Sequence, residues 1–312
     1  MHTLRPPARF TPWDSGSYEI TPQLRLLGTD FGNGELDQKA ILFDREFPRS
    51  RANKLASRAE RLEKYICEHA LREEVALQAS QLLLEKLCQE HENLFQRETK
   101  GEKIFLRCNL TQETLAFSSD GIYLPGDSKI NISPAYGSGL DALASQLQAD
   151  LAIVQIDGKS NHLSYLHVCA PSHWSPEQKI GKTFREVHSP VPGAEIPLLR
   201  PEQQLAESMC RKNPFVRFVW SFVTDDRLNH HPAPPPGEDP LRWRGRRLDA
   251  DFFLRIERQV ILPIPGAQAG LFLIHYSFWR ADEIRQDSRL ALSLKQSIES
   301  MGPEALAYKG LA

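Results

Sequence analysis

The hydrophobic positions of this chain change their period along its length. Residues 1–50 are rich in Pro and Gly, carry little periodicity and contain turns such as Gly32-Asn33-Gly34, so they read as an extended arm. Over residues 51–97 the apolar side chains recur at helical spacing. Leu55, Leu62, Ile66 and Leu71 suit one helix, and Val75, Leu77, Leu82, Leu84 and Leu87 suit a second, which predicts a helical hairpin over 51–100. From residue 103 the period shortens. Ile104–Cys108 and Glu113–Phe117 are short strand candidates, and Leu140–Gln148 is a short helix. Leu151–Ile156 and Leu163–Ala170 are two clear strands about an Asp157-Gly158 turn.

A helical block follows. Ser175-Pro176-Glu177-Gln178 is a helix start, with Ser as cap, Pro at the first helical position and Gln able to complete a capping box. The helix breaks near Gly181, resumes through Thr183–His188 and is stopped by Pro190 and Pro192. Another helix fits Pro201–Lys212. Three long strands come next: Phe215–Thr224, Phe252–Leu262 and Gly270–Trp279. Arg227–Ala250, rich in Pro and Arg, reads as a surface loop between the first two. Leu290, Leu294 and Ile298 place a helix over Asp287–Ser300. The order from 151 to 279 is thus strand, strand, helical block, strand, strand, strand. It predicts an α+β fold: a PAS-like five-stranded antiparallel sheet with the helical block on one face. The expected units are an extended arm (1–50), the helical hairpin (51–100), the sheet-bearing core (101–286) and a C-terminal helix packed on it (287–312). Such a fold does not by itself specify a function.

Composition narrows the partners. The 312 residues are 41% hydrophobic and 25% charged, and 38 basic against 40 acidic side chains leave a net charge of −2. That balance offers no bulk field for nucleic acid or an anionic membrane. No run approaches the length of a membrane-spanning helix, and Met1–Phe10 lacks a basic stretch followed by an apolar region, so a soluble cytoplasmic protein is expected. The five cysteines are widely spaced, with no Cys-x-x-Cys pair, and read as free thiols rather than as a zinc ribbon, a cysteine-ligated cluster or a disulfide framework.

One long run is specific: Cys169-Ala-Pro-Ser-His-Trp-Ser-Pro-Glu-Gln-Lys-Ile-Gly-Lys-Thr-Phe-Arg-Glu-Val-His-Ser-Pro-Val-Pro192. Supporting runs are Val216-Arg-Phe-Val-Trp220, Leu254-Arg-Ile-Glu-Arg-Gln259 and Leu306-Ala-Tyr-Lys-Gly-Leu311. Together they resemble the α subunit of the haem-dependent oxidative N-demethylases. The resemblance implies a PAS-like domain that holds haem b and oxidises a small secondary amine with O₂. It also implies electrons from a flavin and iron–sulfur reductase subunit, and a folate-binding subunit that takes the one-carbon product. Two stretches depart from the family. Val219 stands where Asn usually precedes the tryptophan, and His275-Tyr276-Ser277 stands where Arg-Thr-Tyr is frequent. These departures bear on the substrate more than on the fold. They keep open a non-enzymatic haem-binding gas sensor or haem carrier, and a haem-free PAS-like interaction domain.

Haem iron takes an axial donor, commonly an imidazole. Among ten histidines, His188 shares a helical face with Ile180, Phe184 and Val187, which makes it the first choice as metal ligand; the competing reading is a core histidine bonded to a backbone carbonyl. His173, beside Trp174, is the second choice, or else a propionate partner or a local cap. Trp174, Lys182 and Phe184 complete the expected cofactor-binding set. His275, mid-strand, is a third choice, and His230-His231 is expected to face solvent. For catalysis, a buried guanidinium suits bound O₂. Arg258 interrupts the apolar face formed by Leu254, Ile256, Val260 and Leu262, and is the first candidate, with a buried ion pair or a bulge as the alternative. Arg217 is second. Glu257 is a candidate partner for an ammonium substrate, or else a solvated strand-face carboxylate. Trp220 and Phe222 read as core. The basic run Arg242–Arg247 reads as a solvated loop, or as a dock for an acidic redox partner or for haem propionates.

Overall fold

The computed structural model describes residues 4–193, 195, 202–211, 213–244, 251–309 and 311. Its ten strands are β1 (Arg25–Leu26), β2 (Ile66–Glu68), β3 (Phe95–Lys100), β4 (Lys103–Cys108), β5 (Thr114–Ser118), β6 (Asp150–Asp157), β7 (Ser160–His167), β8 (Phe215–Val223), β9 (Phe253–Pro263) and β10 (Ala269–Arg280). The helices are α1 (Phe47–Tyr65), α2 (Glu73–Glu90), α3 (Gly139–Gln146), α4 (Pro176–Lys179), α5 (Phe184–His188), α6 (Glu202–Arg211), α7 (Pro240–Arg244), α8 (Ala281–Gln286), α9 (Ser288–Glu299) and α10 (Pro303–Lys309).

The fold is α+β, with strands paired antiparallel throughout both sheets. The main sheet has seven strands in the order β1-β8-β9-β10-β6-β7-β2, not the five expected. The five expected strands are its centre. The two additions are edge strands of two and three residues, too short to leave a period-2 signal. β3, β4 and β5 form a second sheet. β3 was missed because one buried Phe95 is followed by five exposed polar positions, and pairing with β4 rather than patterning makes it a strand.

Helices were expected on one face of the sheet, and both faces are covered. On one face, Val75, Ala79, Leu83 and Leu87 of α2 and Leu140 and Leu143 of α3 pack with Leu151, Ile153, Val260, Leu262, Leu271 and Leu273 in the largest core. The two N-terminal helices are joined through β2, which pairs with β7 and ties them to the main sheet. A second core joins Trp13 of the arm to Trp220, Phe222, Leu254, Ile256, α9 and α10.

The other face carries α4, α5 and α6. Ser175 caps α4 without a side-chain bond, and the capping box belongs instead to Thr183 and Glu186 at the start of α5. α6 fills the span expected for it, while Pro201 and Lys212 lie outside the described residues. α9 begins at Asp287, whose carboxylate accepts from the Arg289 and Leu290 amides, and α10 extends the expected C-terminal helix after a break.

Candidate active site

A cavity of about 610 Å³ lies between α4 and α5, the N-terminal arm, α10 and the main sheet. One face of the strands supplies most of the sheet's lining, and Phe218, Trp220 and Phe222 of the other face of β8 also reach it. Arg217, Val219 and Ser221 of β8, Glu257 and Gln259 of β9, Phe272 and Ile274 of β10 and Ala152 and Val154 of β6 line it. Register assembles these into rows, with Arg217 opposite Gln259 and Val219 opposite Glu257, which is opposite Tyr276.

From the helical block come Phe184, Val187 and His188, with His173 and Trp174 beside them. The Phe184 amide donates to Asn161 Oδ1 at 2.8 Å, which anchors the start of α5 to β7. The Phe184 ring stacks on His188, with centroids 4.0 Å apart. His188 Nδ1 lies 2.8 Å from the Phe184 carbonyl, which can only accept, so Nδ1 donates to it. His173 also lines the cavity, in a left-handed backbone conformation with φ of 61°. Its amide donates to the His230 carbonyl, and its ring lies 5.0 Å from that of His230.

The charged groups are arranged around Glu257. Gln259 Nε2 donates to its carboxylate at 3.1 Å, and Arg255 Nε lies 3.7 Å away. Among the described residues Arg217 Nε has no hydrogen-bond partner, and burial, partly offset by Glu257, holds the guanidinium below its ordinary pKa. Lys179 Nζ donates to the Val187 carbonyl at 2.9 Å, on the same wall.

Among the lining residues that sequence reasoning missed are Tyr18, Tyr308 and Lys309. Tyr308 and Lys309 sit in the Leu306–Leu311 run, which was read as a family ending and not as a wall. Tyr18 had no signal in an aperiodic arm.

Several expected residues lie elsewhere. Arg258 is on the opposite face of the sheet and does not line the cavity. Its guanidinium donates to the Lys39 carbonyl at 2.8 Å and the Ala40 carbonyl at 3.4 Å and packs near the Phe10 ring, and burial pushes its pKa down to about 10. Lys182 is exposed and outside the cavity lining. His275 shares the face of Arg258 and bonds Asp44 at 3.3 Å. His230 and His231 are buried, not solvent-facing, with Asp225 and Glu177 respectively 3.0 Å from their Nε2 atoms. Of the basic run, Arg242–Arg244 ends α7, and 245–247 lie outside the described residues.

One further cluster has the composition of a metal site. Asp150, His167 and Cys169 hold their donor atoms within 4.8 Å of one another and are all buried. Its donors are already engaged. Asp150 accepts from the Cys169 and Ala170 amides and the Tyr276 hydroxyl, and His167 Nε2 lies 3.2 Å from Ser145 Oγ. Burial, with Asp150 adding to it, holds the Cys169 thiol far above its ordinary pKa.

A family model described as haem-dependent oxidative N-demethylase, alpha subunit-like, matches residues 34–312. The chain belongs to that family. The name of this N-demethylase family carries haem dependence, oxidoreductase chemistry and assembly with other subunits. The matched span holds every sheet and helix residue of the cavity, whereas the arm residues that line it, Pro12–Gln23, precede it. Among the described residues no helix is long and apolar enough to cross a membrane.

Proposed function

We propose that the protein is a cytoplasmic, haem b-dependent oxidative N-demethylase of a small secondary amine. The balanced reaction is R–NH–CH₃ + O₂ + 2e⁻ + 2H⁺ → R–NH₂ + HCHO + H₂O. A flavin and iron–sulfur reductase subunit supplies the electrons, and a folate-binding subunit receives the one-carbon product. One observation carries this reading: His188, with Nδ1 committed to the Phe184 carbonyl, lines the same cavity as Arg217 and Glu257. A ligating histidine is held in this way, through its other nitrogen.

The residues present fit haem. The cavity lies within the usual range of cofactor sites, and Phe184, Val187, Ala152, Val154, Leu166 and Phe272 give it apolar walls. His188 is the proposed iron ligand, with His173, Trp174 and Phe184 around the group. The strand order β8-β9-β10-β6-β7 supports a PAS-like core, to which the far helical layer and two edge strands are additions.

Haem, when bound, supplies the O₂-binding and electron-accepting centre. The chain's own groups do the rest. Glu257 counters the charge of an entering ammonium and holds it against the sheet. Arg217 offers its Nε–H, which no described acceptor receives, to negative charge that develops in the cavity, where low dielectric strengthens the interaction. Val219, opposite Glu257, makes that floor less polar than Asn would. It is the observation that favours the sensor or carrier reading, should turnover be absent.

The test is a visible spectrum of purified protein, followed by formaldehyde measurement with reductant and a panel of small secondary amines. A Soret band that amines perturb, lost or markedly changed in His188→Ala, and formaldehyde from at least one amine are expected. Haem without any turnover leaves the sensor reading. An unchanged His188→Ala spectrum moves the ligand to His173.

A further inference from the structure

Three of the chain's five tryptophans stand in one chain of ring contacts that begins at the cavity. Tyr18 and Trp220 line the cavity, and their rings meet edge to face with centroids 6.0 Å apart. The Trp220 ring lies 6.1 Å from that of Trp13, and the Trp13 ring lies 6.0 Å from that of Trp279. Trp13 is fully buried, whereas Trp279 is half-buried and borders the exposed Arg9. Trp220 and Trp279 stand on β8 and β10, with β9 between them, so two strand spacings of about 9–10 Å separate them. Trp13, supplied by the arm, spans that gap.

Packing explains the bulk at these stations but not the chemistry of the rings. Phe or Leu would fill the second core, whereas a tyrosine and three tryptophans are all readily oxidised by one electron. The Trp13 Nε1–H is buried with no acceptor among the described residues, a cost that Phe would avoid. The Trp279 Nε1–H donates to the Phe10 carbonyl at 2.8 Å, which favours positive charge on that ring. Lys309, the last residue of α10, donates from Nζ to the Trp220 carbonyl, and its nitrogen lies 5.2 Å from the Trp220 ring centroid and 5.3 Å from that of Tyr18. An ammonium there opposes positive charge on both rings and drives it toward Trp13. Arg9, 4.4 Å from the Trp279 centroid, has its own charge met by Glu283 at 2.6 Å.

We propose that Tyr18, Trp220, Trp13 and Trp279 form a one-electron route between the cavity and the surface, over which a small external reductant quenches a peroxide-level oxidant left in the cavity without substrate. The need for such a route rests on the oxidative reading of the cavity, whereas the route itself does not. Tunnelling falls exponentially with distance, so steps between touching rings outrun one jump over the whole separation. For hydrogen peroxide the balance is H₂O₂ + 2e⁻ + 2H⁺ → 2H₂O, with both electrons and both protons drawn from two ascorbate anions, each oxidised to its radical anion. Each electron leaves Tyr18 with the hydroxyl proton, which ends in the water formed. An electron then moves inward through Trp279, Trp13 and Trp220, a proton returns to Tyr18 from solvent, and ascorbate restores Trp279. The indoles keep their N–H throughout. Trp13 and Tyr18 precede the family-matched residues, so the route depends on the arm of this chain.

The first test needs no haem. Azidyl radicals, made by pulse radiolysis of azide with the full-length chain, oxidise accessible indoles. In wild type, indolyl absorbance should convert to phenoxyl absorbance in a first-order step independent of protein concentration. Tyr18→Phe and Trp13→Phe should each reduce that step severalfold. If Trp13→Phe does not fold, Trp279→Phe, at the half-buried end, takes its place. A step unchanged in Tyr18→Phe and in the tryptophan variant overturns the proposal. In haem-bearing protein given hydrogen peroxide and ascorbate, mass spectrometry should find severalfold more oxidation of cavity-lining residues in Trp13→Phe than in wild type, and equal damage rejects the protective role. Tyr18-dependent transfer in a protein that demethylates no amine rejects the demethylase reading alone, and turnover with unchanged transfer rejects the route alone.

Discussion

An imidazole ligates a metal through the nitrogen that its other hydrogen bond leaves deprotonated, so the partner of His188 matters as much as its position. The Phe184 carbonyl, four residues earlier on the same short helix, is that partner, and the helical spacing was legible in the chain. The arginines were harder to read. Arg258 was conspicuous because it interrupts an apolar strand face, but that face is the core, and its charge is held there by the Lys39 and Ala40 carbonyls. Arg217, the second candidate, shares its strand face with Val219 and Ser221 and interrupts no apolar run, and that face is the cavity wall. The two should separate experimentally. Arg217→Leu should retain haem and lose amine-dependent O₂ consumption and formaldehyde. Arg258→Leu should act on stability. It leaves two carbonyls without their donor and costs about 1–3 kcal/mol for each buried group, read as a lower urea midpoint. Loss of turnover at unchanged stability in Arg258→Leu would reverse the assignment.

Among the elements, the link between α4 and α5 sets the aim of His188. Gly181 ends α4 with φ of 78°, its amide donates to the Leu163 carbonyl, and the Lys182 carbonyl accepts from the Leu163 amide. A Cβ there would stand 2.9 Å from the His69 ring. Gly181→Ala should therefore lose about 1–2 kcal/mol from the left-handed backbone alone, with more from moving the ring. Because the same turn fastens α5 to β7, haem affinity should fall with stability when denaturant midpoint and Soret titration are compared. A stable variant with loosened haem points to α5 alone, and neither change would show that the turn does not aim the proposed ligand. The glycine break was visible in the chain. The edge strands were not, since two or three residues cannot show a period, and α10 was invisible as a wall because its role depends on where the C-terminus returns.

For the molecule as a whole, Lys309 couples the C-terminus, the arm and the sheet, and its titration reports on their packing. Burial pulls its pKa from 10.5 to about 8. Between those values the unfolded chain keeps the proton and the folded chain releases it, so this group makes the protein more stable as pH rises through that window. The gap between wild type and Lys309→Met should therefore shift in favour of wild type by about 3 kcal/mol from below pH 8 to above pH 10.5. Denaturation at several pH values measures it, and a gap independent of pH would mean that Lys309 stays solvated. By itself, the chain determined the central strands, the helical block between them, the family and the position of His188, because each is written in short-range spacing or a contiguous motif. Only the tertiary structure decided the rest. Burial of both sheet faces, edge strands recruited by pairing, and a cavity wall built from both ends of the chain are set by contacts between residues far apart in sequence. Which face of a strand meets the core and which meets a ligand cavity is likewise settled by what packs over it, not by its own alternation.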